Sequence, residues 1–132
     1  MFWEKPKYRD SYLGEFAFSS GGWSVQVETE HGSVLASVSG DKHLLDPAAL
    51  LQLKEILLNL NDHHSSALDA IHADEFAMSW LDGTNGVLEF SNICSSSVPG
   101  KFSLLFGLTE WRDATINVDF VQGRINEVWC ND

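Results

Sequence analysis

The chain has 132 residues, of which 44% are hydrophobic and 11% aromatic, and its formal net charge at pH 7 is −11. This length is typical of one domain, and the apolar content suffices for a packed core, which argues against a disordered chain. From Asp10 onward there are 18 acidic and 5 basic residues, a net of −13, which disfavours nucleic acids and anionic membranes as ligands. We therefore expect one domain, residues 1–132, with a basic partner.

Apolar residues alternate with polar ones in the first third of the chain. This period predicts strands, because one face of each strand is then buried and the other is solvated. The alternating stretches are residues 16–18, 23–27 and 34–38, and residues 20–22 and 30–32 separate them as glycine-containing turns. We expect three strands of an antiparallel meander.

The period changes at Asp46 and Pro47. An aspartate carboxylate accepts from the free N–H groups of a helix start, and proline fits the first helical position. Apolar residues then recur at spacings of three and four and form a single stripe: Ala49, Leu50, Leu53, Ile56, Leu57 and Leu60. A second, shorter helix is expected to begin near Ser65.

Alternation returns in the last 60 residues and predicts about five further strands. The stretches are residues 76–80, 88–90, 102–108, 116–120 and 125–129, and residues 82–86 are expected to form a hairpin loop. The predicted fold is α+β, with two helices inserted after the third strand and packed on one face of a mainly antiparallel sheet.

Three histidines lie close together in the sequence, among several carboxylates: His63, His64 and His72. Imidazole and carboxylate groups are zinc ligands, but this spacing matches no metal motif. His64 and His72 are about 12 Å apart along a straight helix, too far to share one metal. We predict no cofactor. The alternative is a small metal-dependent enzyme or ligand-binding protein that uses this segment.

No other pattern predicts a catalytic residue. Nothing in the sequence places a base beside Cys94 or Cys130, and there is neither a G-x-S-x-G motif nor a phosphate-binding loop. The opening residues, MFWEKPKYRD, lack the apolar core of a signal peptide. We therefore expect a non-enzymatic, cytoplasmic protein with reduced thiols.

The tryptophans provide the predicted binding anchor. Three of them fall on the strand alternations and are expected in the core: Trp23, Trp80 and Trp129. Trp111 instead lies in a predicted turn between Glu110 and Arg112-Asp113, as a protein-binding hot spot within a charged rim would. The alternative is that Trp111 caps the end of the sheet. Asp74 and Glu75 are the further acidic residues that we assign to the predicted surface.

Three segments of the chain carry a resemblance to a known class of protein. They are LGEF at 13–16 leading into GWSVQV at 22–27, the helix from Asp46, and the closing stretch from Trp111 through VDF at 118–120 to GRINEV at 123–128. In this layout the chain resembles small acidic α+β immunity proteins that bacteria pair with polymorphic toxins. The resemblance includes no diagnostic motif and carries over no functional residue. It implies a protein that neutralises a basic toxin by binding it directly.

The C-terminal strand supports a different hypothesis. If this strand, which ends at Trp129 and Cys130, forms an edge of the sheet, its free backbone groups can pair with a second copy. The protein would then be a structural homo-oligomer, and a homodimer is the simplest form.

Overall fold

A computed structural model describes residues 6–19, 21–84 and 86–132. Within these ranges the chain forms three helices, a small two-stranded hairpin and an eight-stranded sheet, termed the main sheet. The strands of the main sheet are β1 Lys7–Asp10, β2 Gly14–Ser19, β3 Gly22–Thr29, β4 Gly32–Val38, β7 Leu88–Ser95, β8 Phe102–Leu108, β9 Trp111–Val121 and β10 Arg124–Asn131. The remaining elements are β5 Gly40–Asp41, β6 Leu44–Leu45, α1 Pro47–Leu58, α2 Leu60–Ala73 and α3 Glu75–Thr84.

Two antiparallel meanders, β1–β4 and β7–β10, build the main sheet and meet at a parallel pair. Strands β4 and β7 form this pair, with Leu35 opposite Asn92 and Val38 opposite Ser95. A parallel pair needs a long crossover, and here the crossover contains the small hairpin and all of α1–α3. β10 forms one edge of the sheet, the position that the homo-oligomer hypothesis requires.

The α+β class and the mainly antiparallel sheet predicted from the sequence are confirmed. The predicted order of elements was wrong, because six strands rather than three precede the helices within the described ranges, and a third helix follows the second. The missed strands β1, β5 and β6 have four residues or fewer, which is too short to display an alternation.

The core lies between the helices and the face of the main sheet that they cover. Side chains from alternate positions of the strands fill it, as the period-two pattern predicted. The largest fully buried side chains are Phe16, Phe106, Phe120, Leu53, Ile71, Ile93, Leu104, Ile116, Val34, Val38 and Val118. On the opposite face, termed the uncovered face, successive cross-strand partners are small or polar: Ser24, Ser37, Cys94, Ser103 and Asp119.

Helix α1 begins as predicted, since the Asp46 carboxylate accepts the N–H of Ala48 at 2.9 Å and Pro47 occupies the first turn. α1 ends at Leu58, and α2 follows directly at Leu60 rather than near Ser65. The predicted start of the second helix was therefore wrong by one helical turn or more. None of the helices within the described ranges is long and apolar enough to cross a bilayer.

Helix α3 corrects the prediction of a strand at residues 76–80. The Asp74 carboxylate accepts the N–H of Ala77 at 2.9 Å, and the Met78 N–H donates to the Asp74 carbonyl at 3.0 Å, so the segment starts as a capped helix. Phe76 and Trp80 are four residues apart, a spacing that fits one face of a helix as well as one face of a strand. The predicted hairpin loop was also wrong, because residues 82–84 end α3; its Asn85 lies outside the described residues.

One side chain of α1, Gln52, holds the loop between β7 and β8. Its Nε2, which carries two hydrogens, lies within hydrogen-bonding distance of three loop carbonyl oxygens at 3.0 to 3.1 Å, those of Ser96, Val98 and Lys101. Its Oε1 accepts the N–H of Gly100 at 2.7 Å. Gly100 has a φ of 78°, and a Cβ there would lie 2.7 Å from the backbone of the β9–β10 turn. The loop therefore depends on both a glycine and a bridging amide.

Replacing Gln52 by alanine is expected to lower the free energy of unfolding by about 1–3 kcal/mol, because the loop groups lose their partner. Urea denaturation measures this loss. The matched control is Glu55→Ala on the same helix, whose side chain is exposed and whose replacement should change stability by less than about 0.5 kcal/mol. Equal losses in the two variants would contradict the assigned role of Gln52.

Candidate binding surfaces

Trp111, the predicted binding anchor, begins β9 and is half-buried. Its indole ring stacks on Trp80 of α3, with ring centroids 4.5 Å apart and an angle of 28° between the planes. The ring of Phe76 lies 5.8 Å from Trp80 and its side chain is 61% exposed. Phe76, Trp80 and Trp111 are termed the aromatic patch. In this patch Trp111 closes the end of the sheet against α3 and stays partly accessible.

Two local features bring the aromatic patch together. Phe76 and Trp80 are one helical turn apart on α3, so their rings lie on one side of the helix. Two hydrogen bonds connect the β8–β9 turn to the segment after α3. The Thr109 N–H donates to the Val87 carbonyl at 3.1 Å, and the Val87 N–H donates to Thr109 Oγ1 at 2.9 Å. These hydrogen bonds help to place Trp111 beside α3.

Carboxylates border the aromatic patch along the chain. Glu110 directly precedes Trp111, whereas Arg112 and then Asp113 follow it, and all three are exposed. Asp74 caps α3 and is half-buried, whereas Glu75 occupies the first turn of α3 and is exposed. The five residues predicted to bind a partner therefore lie on two segments that the Trp80–Trp111 stack joins. Three of the four carboxylates are exposed. The fourth, Asp74, is half-buried and caps the start of α3.

The sequence reasoning missed Phe76 and Trp80 as members of the surface, since it assigned them to a core strand. A signal for the helix was present: Asp74 is a preferred N-cap residue, and Glu75 follows in the first turn. The buried residue of α3 is Ala77, which lies between Phe76 and Trp80 in the sequence. The alternation of apolar residues therefore pointed to the wrong positions as core.

Trp129 was wrongly assigned to the core. It is 40% exposed on the uncovered face, and its Nε1 donates to Asp119 Oδ2 at 2.8 Å. The pairing of β10 with β9 shifts register between Ile125 and Glu127, and such a shift changes which alternate residues face the core. Trp23, by contrast, is 3% exposed, so its predicted core position is confirmed.

The three candidate histidines do not converge. His63 lies edge-on against Phe102 and Phe120, with ring centroids 5.0 and 5.5 Å away, so it packs between α2 and the sheet. His72 is exposed near the end of α2. Within the described ranges no three histidine, cysteine, aspartate or glutamate side chains are arranged to hold a metal ion.

His64 also packs on the sheet, against Phe90 and Phe106 at 5.3 and 5.6 Å. Its ring stacks on His31 from the β3–β4 turn, with centroids 3.7 Å apart and planes 6° from parallel. His31 Nε2 lies 2.8 Å from Asn61 Oδ1, which connects the turn to the start of α2. His63 and His64 are therefore packing residues of the helix–sheet interface.

Burial changes the protonation of these groups. It lowers the pKa of His63, against a smaller opposing effect of Asp62, and it lowers the pKa of His64, with a further decrease from His31. Burial raises the pKa of the Cys94 and Cys130 thiols, and a nearby carboxylate adds to the effect on each. Both thiols therefore resist ionisation to the nucleophilic thiolate.

The carboxylates of the described residues are mostly not in ion pairs. Glu4 and Lys5 lie outside the described ranges. The described residues therefore include 19 − 1 = 18 acidic and 8 − 1 = 7 basic ones. One salt bridge forms among them, between Lys54 Nζ and Asp10 Oδ1 at 2.8 Å. Most of the negative charge of the described chain is therefore not neutralised by an internal ion pair.

Comparison with known proteins gave no guide to function. No protein family matches the sequence, and neither the curated proteins nor the solved structures gave a significant match. The chemistry of the surfaces themselves is therefore what points to a function.

The free energy of unfolding is expected to fall as the pH is lowered from about 7.5 to about 5, because the unfolded chain takes up protons near the ordinary histidine pKa of about 6.5. The folded protein, in which the pKa values of His63 and His64 are lowered, binds fewer protons in this window. Stability therefore increases with pH across it. Urea denaturation at several pH values measures the slope.

The double variant His63→Gln/His64→Gln should show a shallower pH slope than the wild type. His72→Gln replaces an exposed histidine of the same helix and serves as the control. If the double variant keeps the full slope, the two packed histidines are not its source.

Proposed function

We propose that this protein is a non-enzymatic binding protein whose partner is a cationic protein. The observation that carries the proposal is the aromatic patch, which consists of two stacked indole rings and an exposed phenylalanine and has exposed carboxylates close by along the chain. Large, rigid aromatic side chains within a polar rim are the features of protein-binding hot spots. Stacking fixes the rings before binding, so little side-chain entropy is lost when a partner contacts them.

Charge supports a basic partner. Exposed Glu75 and Glu110 lie next to patch residues along the chain, and Asp113 lies beyond Arg112. The one salt bridge of the described residues, Asp10–Lys54, uses none of these carboxylates, which outnumber the single arginine. Complementary charge mainly raises the association rate and the specificity of a complex, whereas buried aromatic anchors slow its dissociation. The two features together favour fast and salt-sensitive binding.

A toxin-neutralising immunity protein is the specific form of this proposal. Such a protein acts by occupying the surface of its partner and needs no catalytic group of its own. A nuclease-type toxin carries a cationic surface for its own substrate, and an acidic partner complements that surface. The resemblance in layout to bacterial immunity proteins supports this role, which would be carried out in the cytoplasm.

The variant Trp111→Ala is expected to weaken binding of the cationic partner by about 2 kcal/mol or more, roughly 30-fold in affinity, because it removes a central aromatic anchor. The partner would first be recovered from an extract of the native host at low salt and released by raised salt. Titration calorimetry with the recovered protein then measures the affinities of the wild type and the variant.

Trp129→Ala is the matched control, since it removes a partly exposed tryptophan from the uncovered face rather than from the patch. It should bind the partner with nearly the affinity of the wild type. Failure to recover any basic protein at low salt, or unchanged affinity in Trp111→Ala, would overturn the proposal.

A further inference from the structure

An open cleft of about 630 Å³ lies between the β1–β2 turn, the end of β3 and the corner where α1 meets α2. It is termed the corner cleft, and its volume falls within the range of ligand-binding sites. It shares no residue with the aromatic patch. Any ligand of this cleft would therefore be bound by a separate part of the molecule.

Large apolar side chains at the corner cleft face solvent. Tyr12 is 82% exposed and Leu58 is 81% exposed, while Leu13 and Leu57 beside them are half-buried. A neighbouring hollow of about 480 Å³ shares these four residues and continues to Lys54. Contiguous exposed apolar surface of this kind marks contact sites. The cleft and the hollow together run from the end of β3 past the α1–α2 corner to Lys54, a span that suits a stretch of polypeptide better than a small molecule.

The charge of the corner cleft has one sign. Two acidic residues line it on the helix side, Glu30 and Asp62, and no lysine or arginine does so among the residues that the structure describes. The amine of Lys54 in the neighbouring hollow is already bound to Asp10 at 2.8 Å. The cleft therefore combines apolar walls with uncompensated negative charge.

Hydrogen bonds hold the walls of the corner cleft in place. Glu30 Oε2 accepts from Asn61 Nδ2 at 3.0 Å, and Asn61 in turn lies within hydrogen-bonding distance of His31. On the other side, the buried Asp10 carboxylate accepts two N–H groups of the β1–β2 turn, at 3.0 and 2.8 Å, besides the Lys54 amine. Because both walls are fixed before binding, a ligand would not have to order them.

We propose that the corner cleft docks a cationic amphipathic segment of a partner protein. Apolar side chains of that segment lie between Tyr12 and Leu58, and its lysine or arginine side chains face Glu30 and Asp62. A second copy of this chain is a poor occupant, because it carries the same excess of negative charge. The inference stands independently of binding at the aromatic patch.

The test uses three fluorescently labelled synthetic peptides and fluorescence anisotropy with the full chain. One is an amphipathic peptide of leucine and lysine, the second is an oligolysine of equal charge, and the third has glutamate in place of lysine. The leucine–lysine peptide is expected to bind at least about tenfold more tightly than either of the others. Equal binding of oligolysine would overturn the proposal, since it would show unspecific attraction to an acidic protein.

Variants locate the binding. Leu58→Gln, and separately the pair Glu30→Gln/Asp62→Asn, should each weaken binding of the leucine–lysine peptide by about tenfold or more. The charge-matched control is Asp69→Asn/Glu127→Gln, which neutralises two exposed carboxylates outside the cleft. Equal weakening by the control pair, or no effect of Leu58→Gln, would overturn the assignment to the cleft.

Two further measurements separate the remaining explanations. Trp111→Ala should bind the leucine–lysine peptide like the wild type, so a failure of the proposed function at the aromatic patch leaves this result unchanged. Sedimentation of the wild type and of Leu58→Gln should show the same monomeric state. A wild-type dimer that Leu58→Gln dissociates would overturn the proposal in favour of a second copy as the occupant.

Discussion

The parallel pairing of β4 with β7 is the constraint on which the rest of the structure depends. Two antiparallel meanders can join in parallel only through a long connection, and in this chain the connection is helical. The helices must therefore return across one face of the main sheet, and they bury that face while the other stays uncovered. The core, the orientation of α3 and the corner between α1 and α2 all follow from this single crossover.

The interface between the helices and the sheet contains two histidines, and burial there lowers the pKa of both. His63 and His64 place their rings against phenylalanines of the sheet, which favours the neutral imidazole. Aromatic packing thus accounts for both residues without a metal or a catalytic role. The stack of His64 on His31 also joins α2 to the β3–β4 turn, next to the corner cleft.

Both candidate binding surfaces lie where the helical layer meets strand ends or turns. The aromatic patch joins α3 to the start of β9, and the corner cleft joins the α1–α2 corner to the β1–β2 turn and the end of β3. The first offers stacked rings with exposed carboxylates close by along the chain, and the second offers a concave surface on which exposed apolar side chains adjoin polar and acidic residues. The proposals of a cationic partner at both surfaces share one basis, which is that the described chain pairs little of its negative charge internally.

The sequence by itself determined the features that depend on neighbouring residues. Alternation identified most strands of the main sheet, and Asp46 with its following proline identified the start of α1, because burial period and capping are local properties. It also identified Trp111 and its acidic neighbours as a candidate site. Only the tertiary structure decided that Trp80 is helical and stacks on Trp111, and that Trp129 faces away from the core. Those outcomes depend on a spacing that helix and strand share, on a shift of strand register and on contacts between distant segments, none of which a local pattern specifies.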